Sequence, residues 1–306
     1  MKRRILVTGS NGFVGKKLVE KLREREHAVR GFDLDKGLDL LKEEDCKKAT
    51  KGIESVVHLA AVLDEHSPML WEVNVKGTEN ILKASAENRV ERFIHLSTAG
   101  IHGNQNGKVN EKSELKPVTD YEKSKAEAEH VVEEYQEMIH ITILRPAIVL
   151  GPNEYWKKIV KLVGKNFPLI GSGKNKWQTV FIEDLVDAIV FCVEHEETAG
   201  ETFIIAEEDT LTLEELCIEI KKALGLNPKM RKIPFWLGKT LAYLYIIFSR
   251  GSILSPAHLE RLKRNREYSI EKIKKFGWKP KWNARRAVAR TVKETGSTHH
   301  NPAERK

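Results

Sequence analysis

Cysteine is scarce in this chain: three in 306 residues, Cys46, Cys192 and Cys217, with no CxxC or CxxH spacing among them. So few and so scattered, they exclude a disulfide framework and a structural zinc site, and a reducing, cytoplasmic setting is expected. Long apolar runs are missing too. The longest, FWLGKTLAYLYIIF at 235–248, has 14 residues, where a membrane-spanning helix needs about 20. Behind the basic start only Ile5-Leu6-Val7 precedes Thr8 and Gly9, too short for the apolar core of a signal peptide. Internal repeats and low-complexity tracts are absent. What remains is 41% hydrophobic and 31% charged, a globular composition that excludes a disordered tail, a collagen-like repeat and a multi-span membrane protein. The length fits one large or two smaller domains.

The formal net charge is +8, and residues 250–286 alone carry 12 basic against 3 acidic side chains. One segment therefore holds the excess, so nucleic acid is not an expected partner. A solvated helix face is the plainest reading; an anionic substrate or an anionic membrane surface are the alternatives.

Short apolar runs alternate with helical patterns through the first half, which predicts βαβ units and a parallel sheet. Strands are expected at Arg4–Thr8, Ala28–Phe32, Ser55–Leu59, Arg92–Ser97 and Ile139–Leu144, with helices over 12–25, 69–88 and 118–137. The stretch from Asp33 to Ser55 is too short for a full helix–strand–helix, so a trimmed connection with a brief strand near Leu38–Leu40 is expected. Further on come a helix near 153–163, a glycine-rich turn, a strand at Thr179–Ile182, a helix from Asp184 to Glu194 and a strand at Thr202–Ile205. Thr212 and Glu215 form a capping box for a helix to about Leu224. Pro234–Ser249 reads as a very apolar helix. Ser255-Pro256 opens a basic one, and Ser269 and Gly277 bound the next.

Residues 8–15, TGSNGFVG, follow a strand and open a helix. In that context Gly9 makes a tight turn, Gly12 lets backbone approach a pyrophosphate, and Gly15 permits close helix–strand packing, while the helix N-terminus attracts phosphate. Asp33 lies 18 residues past Gly15, at the end of the second strand. A carboxylate there bonds ribose hydroxyls and repels a 2′-phosphate, which favours NAD over NADP. Arg30 and Lys36 keep NADP as the lesser alternative. Tyr121 and Lys125 form YxxxK, and positions i and i+4 share a helix face. A nearby ammonium stabilises phenolate and is expected to lower the tyrosine pKa, making Tyr121 a general acid/base. Thr98, just after a buried strand, can hold the reacting oxygen.

With these motifs the chain resembles the extended short-chain dehydrogenase/reductase superfamily, which includes nucleotide-sugar epimerases, dihydroflavonol reductases and 3β-hydroxysteroid dehydrogenases. TGSNGFVG, VVHLAA (56–61), NVKGTEN (74–80), HLSTAGIHG (95–103), YEKSK (121–125), LRPAIVLGP (144–152), VFIEDLVDAI (180–189) and KKFGWKPKWN (274–283) occur in family order. The resemblance implies an α/β, Rossmann-type doubly wound parallel sheet with a smaller, mostly helical C-terminal substrate lobe. Residues 1–150, completed by elements at about 179–206, would form the NAD-binding domain, and 151–178 with 207–306 the substrate lobe. It further implies that Thr98, Tyr121 and Lys125 are catalytic. Gly9, Asn11, Gly12, Phe13, Val14 and Gly15 would surround the pyrophosphate. Asp33, Asp39 and Leu40, with Leu59, Ala60 and Ala61, would hold the adenosine. Asn74, Tyr121, Lys125 and Pro146 would complete the cofactor site. His102 replaces a family tyrosine and is given no role.

Galactose-type epimerases carry an Asn where Ile148 stands and a diphosphate-binding Arg where Trp177 stands. An apolar residue cannot compensate for desolvating a diphosphate. An NAD-dependent oxidoreductase acting on an apolar or weakly polar alcohol or ketone is therefore expected, with Lys174 and Lys176 as substitute phosphate contacts in the alternative. That alternative is a redox-neutral UDP-hexose 4-epimerase using bound NAD; a catalytically idle NAD(P)-binding subunit is a further one. The expected partner is a small-molecule substrate and the expected assembly a homodimer. The apolar 235–248 segment is expected as a buried or dimer-seam helix, with a hydrophobic substrate mouth or peripheral membrane contact as alternatives.

Overall fold

A computed structural model describes residues 2–240 and 262–297. The apolar runs at Ile5–Val7, Val56–Val57 and Phe93–Ile94 are fully buried, as strands covered by helices on both faces require. Strands β1 (Arg4–Thr8), β2 (Ala28–Phe32), β3 (Ser55–His58), β4 (Arg92–Leu96) and β5 (His140–Pro146) lie in one parallel sheet. Later in the chain come β6 (Ile148–Leu150), β7 (Leu169–Ile170), β8 (Lys176–Trp177), β9 (Thr179–Phe181), β10 (Thr202–Ile205), which joins that sheet, β11 (Leu211–Thr212) and β12 (Lys232–Ile233). The sheet has six strands in the order β10-β5-β4-β3-β1-β2. Strand order reverses between β1 and β3, and in such sheets the crevice at the carboxyl ends of those strands receives ligands.

Helices α1 (Phe13–Glu24), α2 (Glu43–Thr50), α3 (Gly77–Glu87), α4 (Asp120–Glu133), α5 (Glu154–Gly164), α6 (Ile182–Glu194) and α7 (Leu213–Ala223) connect these strands. Two short helices follow at Glu271–Lys275 and Ala284–Ser297. The capping box at Thr212 forms as expected. A second box, not expected from the sequence, forms at Thr119, where the Glu122 carboxylate returns to the Val118 and Thr119 amides at 2.9 and 3.1 Å. One apolar cluster joins Leu18 and Leu22 of α1 to Leu185, Ile189 and Val193 of α6 and to β10. Asp184 is buried and accepts the backbone N–H groups of Lys281 and Trp282 at 3.0 and 2.9 Å. This pins the KPKWN segment to α6.

Two expectations need correction. No strand forms at Leu38–Leu40. A 3-10 turn at Leu34–Lys36 ends at Gly37 in the left-handed region, and α2 follows. The Asp39 N–H bonds the Asp45 carboxylate and the Leu41 N–H bonds the Asp39 carboxylate, each at 3.0 Å, so side chains take the amides that a ladder would use. Thr179–Phe181 does not join the central sheet either. It pairs with β6, and only β10 extends the sheet, beside β5. The expected helix at Ser255-Pro256 lies outside the described residues. Of the apolar 235–248 segment, residues 235–240 are helical and the rest lies outside them. Trp236 there is 69% exposed, while Phe235 packs with Ile170 and Phe167. Among the described residues no helix is long and apolar enough to cross a membrane.

Glu207, just beyond β10, is fully buried. One carboxylate oxygen accepts the Thr179 hydroxyl and the other has no partner. Burial pushes its pKa up to about 8, against the Thr179 bond. A raised folded-state pKa gives stability that is fully present below the ordinary carboxylate range and is lost as pH rises through about 8. Melting temperatures at pH 5, 7 and 9 are expected to fall more steeply for the wild type than for Glu207→Gln, and the variant should gain on the wild type at pH 9. Parallel profiles would contradict this.

Candidate active site

The glycine turn after β1 is built for close approach. Gly9 has φ +66°, and a Cβ on it would lie 2.9 Å from the Ala60 amide nitrogen. A Cβ on Gly15 would lie 2.0 Å from the Gly9 carbonyl oxygen. The absent side chain of Gly15 thus clears the turn itself rather than a strand. Gly12 caps α1 without a side chain, and the first turn holds no acidic residue. Its leading N–H groups have no intrahelical acceptors, which is the arrangement that receives a pyrophosphate. The rings and branches of Phe13 and Val14 pack into the core, Phe13 against Gly151, so any pyrophosphate contact from them is made by backbone. The Asn11 N–H donates to the Asp33 carboxylate at 2.8 Å, locking the end of β2 to the turn.

Arg30 donates to the Ala49 and Lys51 carbonyls at 2.6 and 3.0 Å and is spent there. Lys36 donates to the Ser10 hydroxyl at 3.1 Å. Leu59 and Ala60 both donate backbone N–H to the Thr8 hydroxyl at 3.2 Å, and Ala61 follows half-buried. Asp39 is half-buried and bonded within its own turn, whereas Leu40 is buried in the core against Gly77. Pro146 closes β5 and is buried.

Asn74 sits in a π-helical turn over Glu72–Lys76, a widened turn of the kind that re-aims side chains at functional sites. Both of its amide hydrogens are committed to protein. The oxygen accepts the Val62 N–H at 2.8 Å, and the nitrogen donates to the Val62 carbonyl and the Ser124 hydroxyl, both at 3.0 Å. Asn74 therefore braces the loop after β3 against α4.

Thr98 caps a 3-10 turn at Ala99–His102 and accepts the Gly100 N–H at 3.1 Å. A Cβ on Gly100 would lie 3.2 Å from the Thr98 hydroxyl and 3.4 Å from a Glu122 carboxylate oxygen. Thr98 and the start of α4 are thus neighbours. On α4, Lys125 is buried and Tyr121 half-buried. The Lys125 ammonium lies 3.4 Å from Nε2 of His95. Burial pushes the Lys125 pKa down to about 8, with Glu129 opposing. Burial, then Glu122, pushes Tyr121 up to about 12. The expected lowering of the tyrosine by its lysine gives way here to desolvation.

Beneath Lys125, His95 of β4 pairs in register with His58 of β3, and their rings stack with centroids 5.6 Å apart. The Thr8 hydroxyl, already accepting two amides, donates to His58 Nδ1 at 2.7 Å. His58 Nε2–H then donates to the Thr78 hydroxyl at 2.9 Å, which donates to the Asn74 carbonyl at 2.7 Å. The hydrogen-bond inventory assigns one neutral tautomer to His58. Burial, then Lys125, pushes it down to about 3 and holds His95 well below the usual range. Neither histidine was singled out from the sequence, although each follows a buried apolar pair, in VVH and FIH, near the end of its strand.

On the same face of α4 as Lys125, Glu122 takes the Arg264 guanidinium at 2.6 Å, both buried. Glu129 holds Arg145 through Nε at 3.0 Å and Nη2 at 2.5 Å, and Arg145 Nη1 reaches His102 Nε2 at 3.3 Å. Ile148 is half-buried. Trp177 is buried, but its surroundings are not apolar: the Arg266 guanidinium lies over its ring at 4.4 Å. None of these arginines was identified from sequence, because each partner lies a hundred residues or more away or on another element.

The chain belongs to the NAD dependent epimerase/dehydratase family, whose sequence profile matches residues 5–206, and so to the extended short-chain dehydrogenase/reductase superfamily. It is 32% identical to a Vibrio cholerae protein named UDP-glucose 4-epimerase, over 92% of each chain. It is 26% identical to sterol-4-alpha-carboxylate 3-dehydrogenase, decarboxylating, of Mus musculus, over 96% of this chain and 90% of that one. The crystal structure of UDP-glucose 4-epimerase with UDP-glucose from Thermotoga maritima shares the fold, with a TM-score of 0.78 at 23% identity, covering 97% of this chain and 99% of that one. Relatives thus include both epimerases and dehydrogenases.

A lysine whose folded pKa lies below its ordinary value destabilises the folded protein below that pKa, and stability rises as pH climbs from about 8 toward the ordinary lysine range. Lys125→Met is expected to raise the melting temperature at pH 7 and to flatten this rise. A lower melting temperature at pH 7 would show that the His95 contact outweighs the cost of burying the ammonium.

Proposed function

We propose that this chain catalyses hydride transfer between NAD and a secondary alcohol or its ketone, with Tyr121 as the acid–base group. The observation that carries this reading is the meeting of Thr98 with the start of α4, bridged by Gly100, in a helix that also carries Tyr121 and a buried Lys125. The uncapped α1 N-terminus, the Gly9 turn and Asp33 suit the pyrophosphate and ribose of a dinucleotide. Bound NAD would supply the hydride acceptor or donor.

Thr98 has its oxygen occupied by Gly100 N–H, so its own O–H is left to donate to the reacting oxygen. Tyr121 exchanges the proton at that same oxygen. With its pKa near 12, the phenol is protonated at neutral pH and ready to donate to a ketone. The lysine ammonium spends one N–H on His95; the other two are left for the cofactor ribose and the Tyr121 oxygen. Intact Thr98, Tyr121 and Lys125 favour an enzyme over an idle subunit, which has no physical need for all three.

A redox-neutral 4-epimerase is the second reading. It is favoured by the 32% identity to a protein of that name and by the Arg266 guanidinium over Trp177. One panel separates the two: hydroxysteroids and aromatic ketones against UDP-glucose and UDP-galactose, with NADH release followed throughout. Net NADH turnover supports the oxidoreductase, and interconversion of the hexoses without it supports the epimerase.

On whichever substrate is turned over, Tyr121→Phe should keep NAD affinity and lower kcat by about 10²–10⁴-fold, the usual worth of acid–base catalysis. Activity within threefold of wild type would remove Tyr121 from the mechanism. NAD is expected to bind more tightly than NADP, because a carboxylate just past β2 would bond ribose hydroxyls and repel a 2′-phosphate, and Arg30 is spent on carbonyls. Asp33→Ala should narrow that difference in calorimetry; tighter NADP binding by the wild type would reverse the assignment.

A further inference from the structure

We infer that His95 is a positioning residue of the proposed reaction: its Nε2 accepts from the Lys125 ammonium and so fixes where the remaining N–H groups of that ammonium point. The role rests on the hydride-transfer reading above and adds a residue to it. The two side chains are both buried and meet at 3.4 Å. Among the described residues the ammonium has no other hydrogen-bond partner. A lysine stem has many rotamers, so a buried ammonium is aimed only where something inside the protein holds it.

Two carboxylates flank Lys125 on its own helix, and neither takes it. Glu122, one turn before, is paired with Arg264, and Glu129, one turn on, with Arg145. The choice of partner has a chemical consequence. A carboxylate would neutralise the ammonium and draw it aside. A neutral imidazole accepts one N–H and leaves the whole charge to act on the ribose and the phenol.

The tautomer of His95 follows from the same contact. Its Nδ1 is buried and has no partner, so that atom is unsatisfied in either neutral form and does not choose between them. Only the form with its hydrogen on Nδ1 leaves Nε2 a lone pair for the lysine; the other sets an N–H against an ammonium. The ring is itself fixed. It stacks on His58 with centroids 5.6 Å apart, and β3 and β4 hold the two residues in register. His58 is in turn bonded at both nitrogens, to the Thr8 and Thr78 hydroxyls. The ammonium is thus placed relative to the sheet and not by its own stem.

Nitrogen-15 NMR of the histidine-labelled wild type without cofactor, at pH 7, reads the tautomer directly. His95 should be neutral, with Nδ1 protonated and Nε2 bare. A hydrogen on Nε2 would overturn the role, even if no variant folds. His95→Met removes the acceptor, and His95→Gln, similar in shape, puts an amide oxygen in its place. In calorimetry His95→Met should bind NAD about tenfold more weakly than the wild type, the worth of one hydrogen bond, and His95→Gln should recover most of that. Equal losses in the two variants would reduce His95 to packing. In a Lys125→Met background, His95→Met should weaken NAD no further, because a residue acting through the lysine has nothing left to act on; a second tenfold loss there would also overturn the role. The same loss is expected in a Tyr121→Phe background, so a failed acid–base assignment leaves the result standing. Absence of NAD binding by the wild type would instead remove the hydride-transfer reading.

Discussion

An ammonium group buried over the middle of a parallel sheet, with a neutral imidazole for a hydrogen-bond partner, sets the terms for everything around it. Lys125 cannot sit there unless His95 stays unprotonated, since two cations at 3.4 Å would repel strongly in a site shielded from water. His95 stays neutral because it is buried, because Lys125 itself disfavours its charge, and because the adjacent His58 is neutral as well. The chain Thr8–His58–Thr78–Asn74 leaves no position for a second proton on His58. The direction of each hydrogen bond from β1 through β3 to the π-turn thus bears on the charge carried by α4.

Helix α4 is also held by arginines. Glu122 and Glu129 lie seven residues apart on α4, and each is tied to an arginine from a later part of the chain, Arg264 and Arg145. Buried ion pairs of this kind contribute little net stability but are costly to break. Their effect is geometric. Rotation or sliding of α4 would unpair two buried charges at once, so Tyr121 and Lys125 keep their aim relative to Thr98. Glu122 also completes the helix cap, joining the end of the helix to the Arg264 segment through one carboxylate.

The substrate side reads differently in three dimensions. Trp177 looks apolar as a residue, and an apolar substrate follows from it. Its ring carries a guanidinium from residue 266, delivered by a backbone pairing between distant segments. A position that seems to have lost a cation is therefore served by one from elsewhere, which returns charged substrates to consideration.

Much was legible from residue order alone, because it depends on local rules. Glycine spacing after an apolar strand specifies a turn that only glycine can make. YxxxK puts two side chains on one helix face, and Thr-x-x-Glu closes a helix end at Thr212. Apolar runs of about five residues separated by helical patterns specify parallel strands. The missing strand near Leu38–Leu40 shows the limit even of local reading: two aspartates took the backbone amides, and periodicity does not register such side-chain bonds. Register, stacking and pairing of charges were decided only by the tertiary structure. His58 beside His95, Arg266 over Trp177 and Arg264 on Glu122 bring together residues separated by 37, 89 and 142 positions. So did the pKa of Tyr121, where the lysine one turn away predicts a fall and burial produces a rise, because desolvation is a property of the packed surroundings and not of the neighbouring residue.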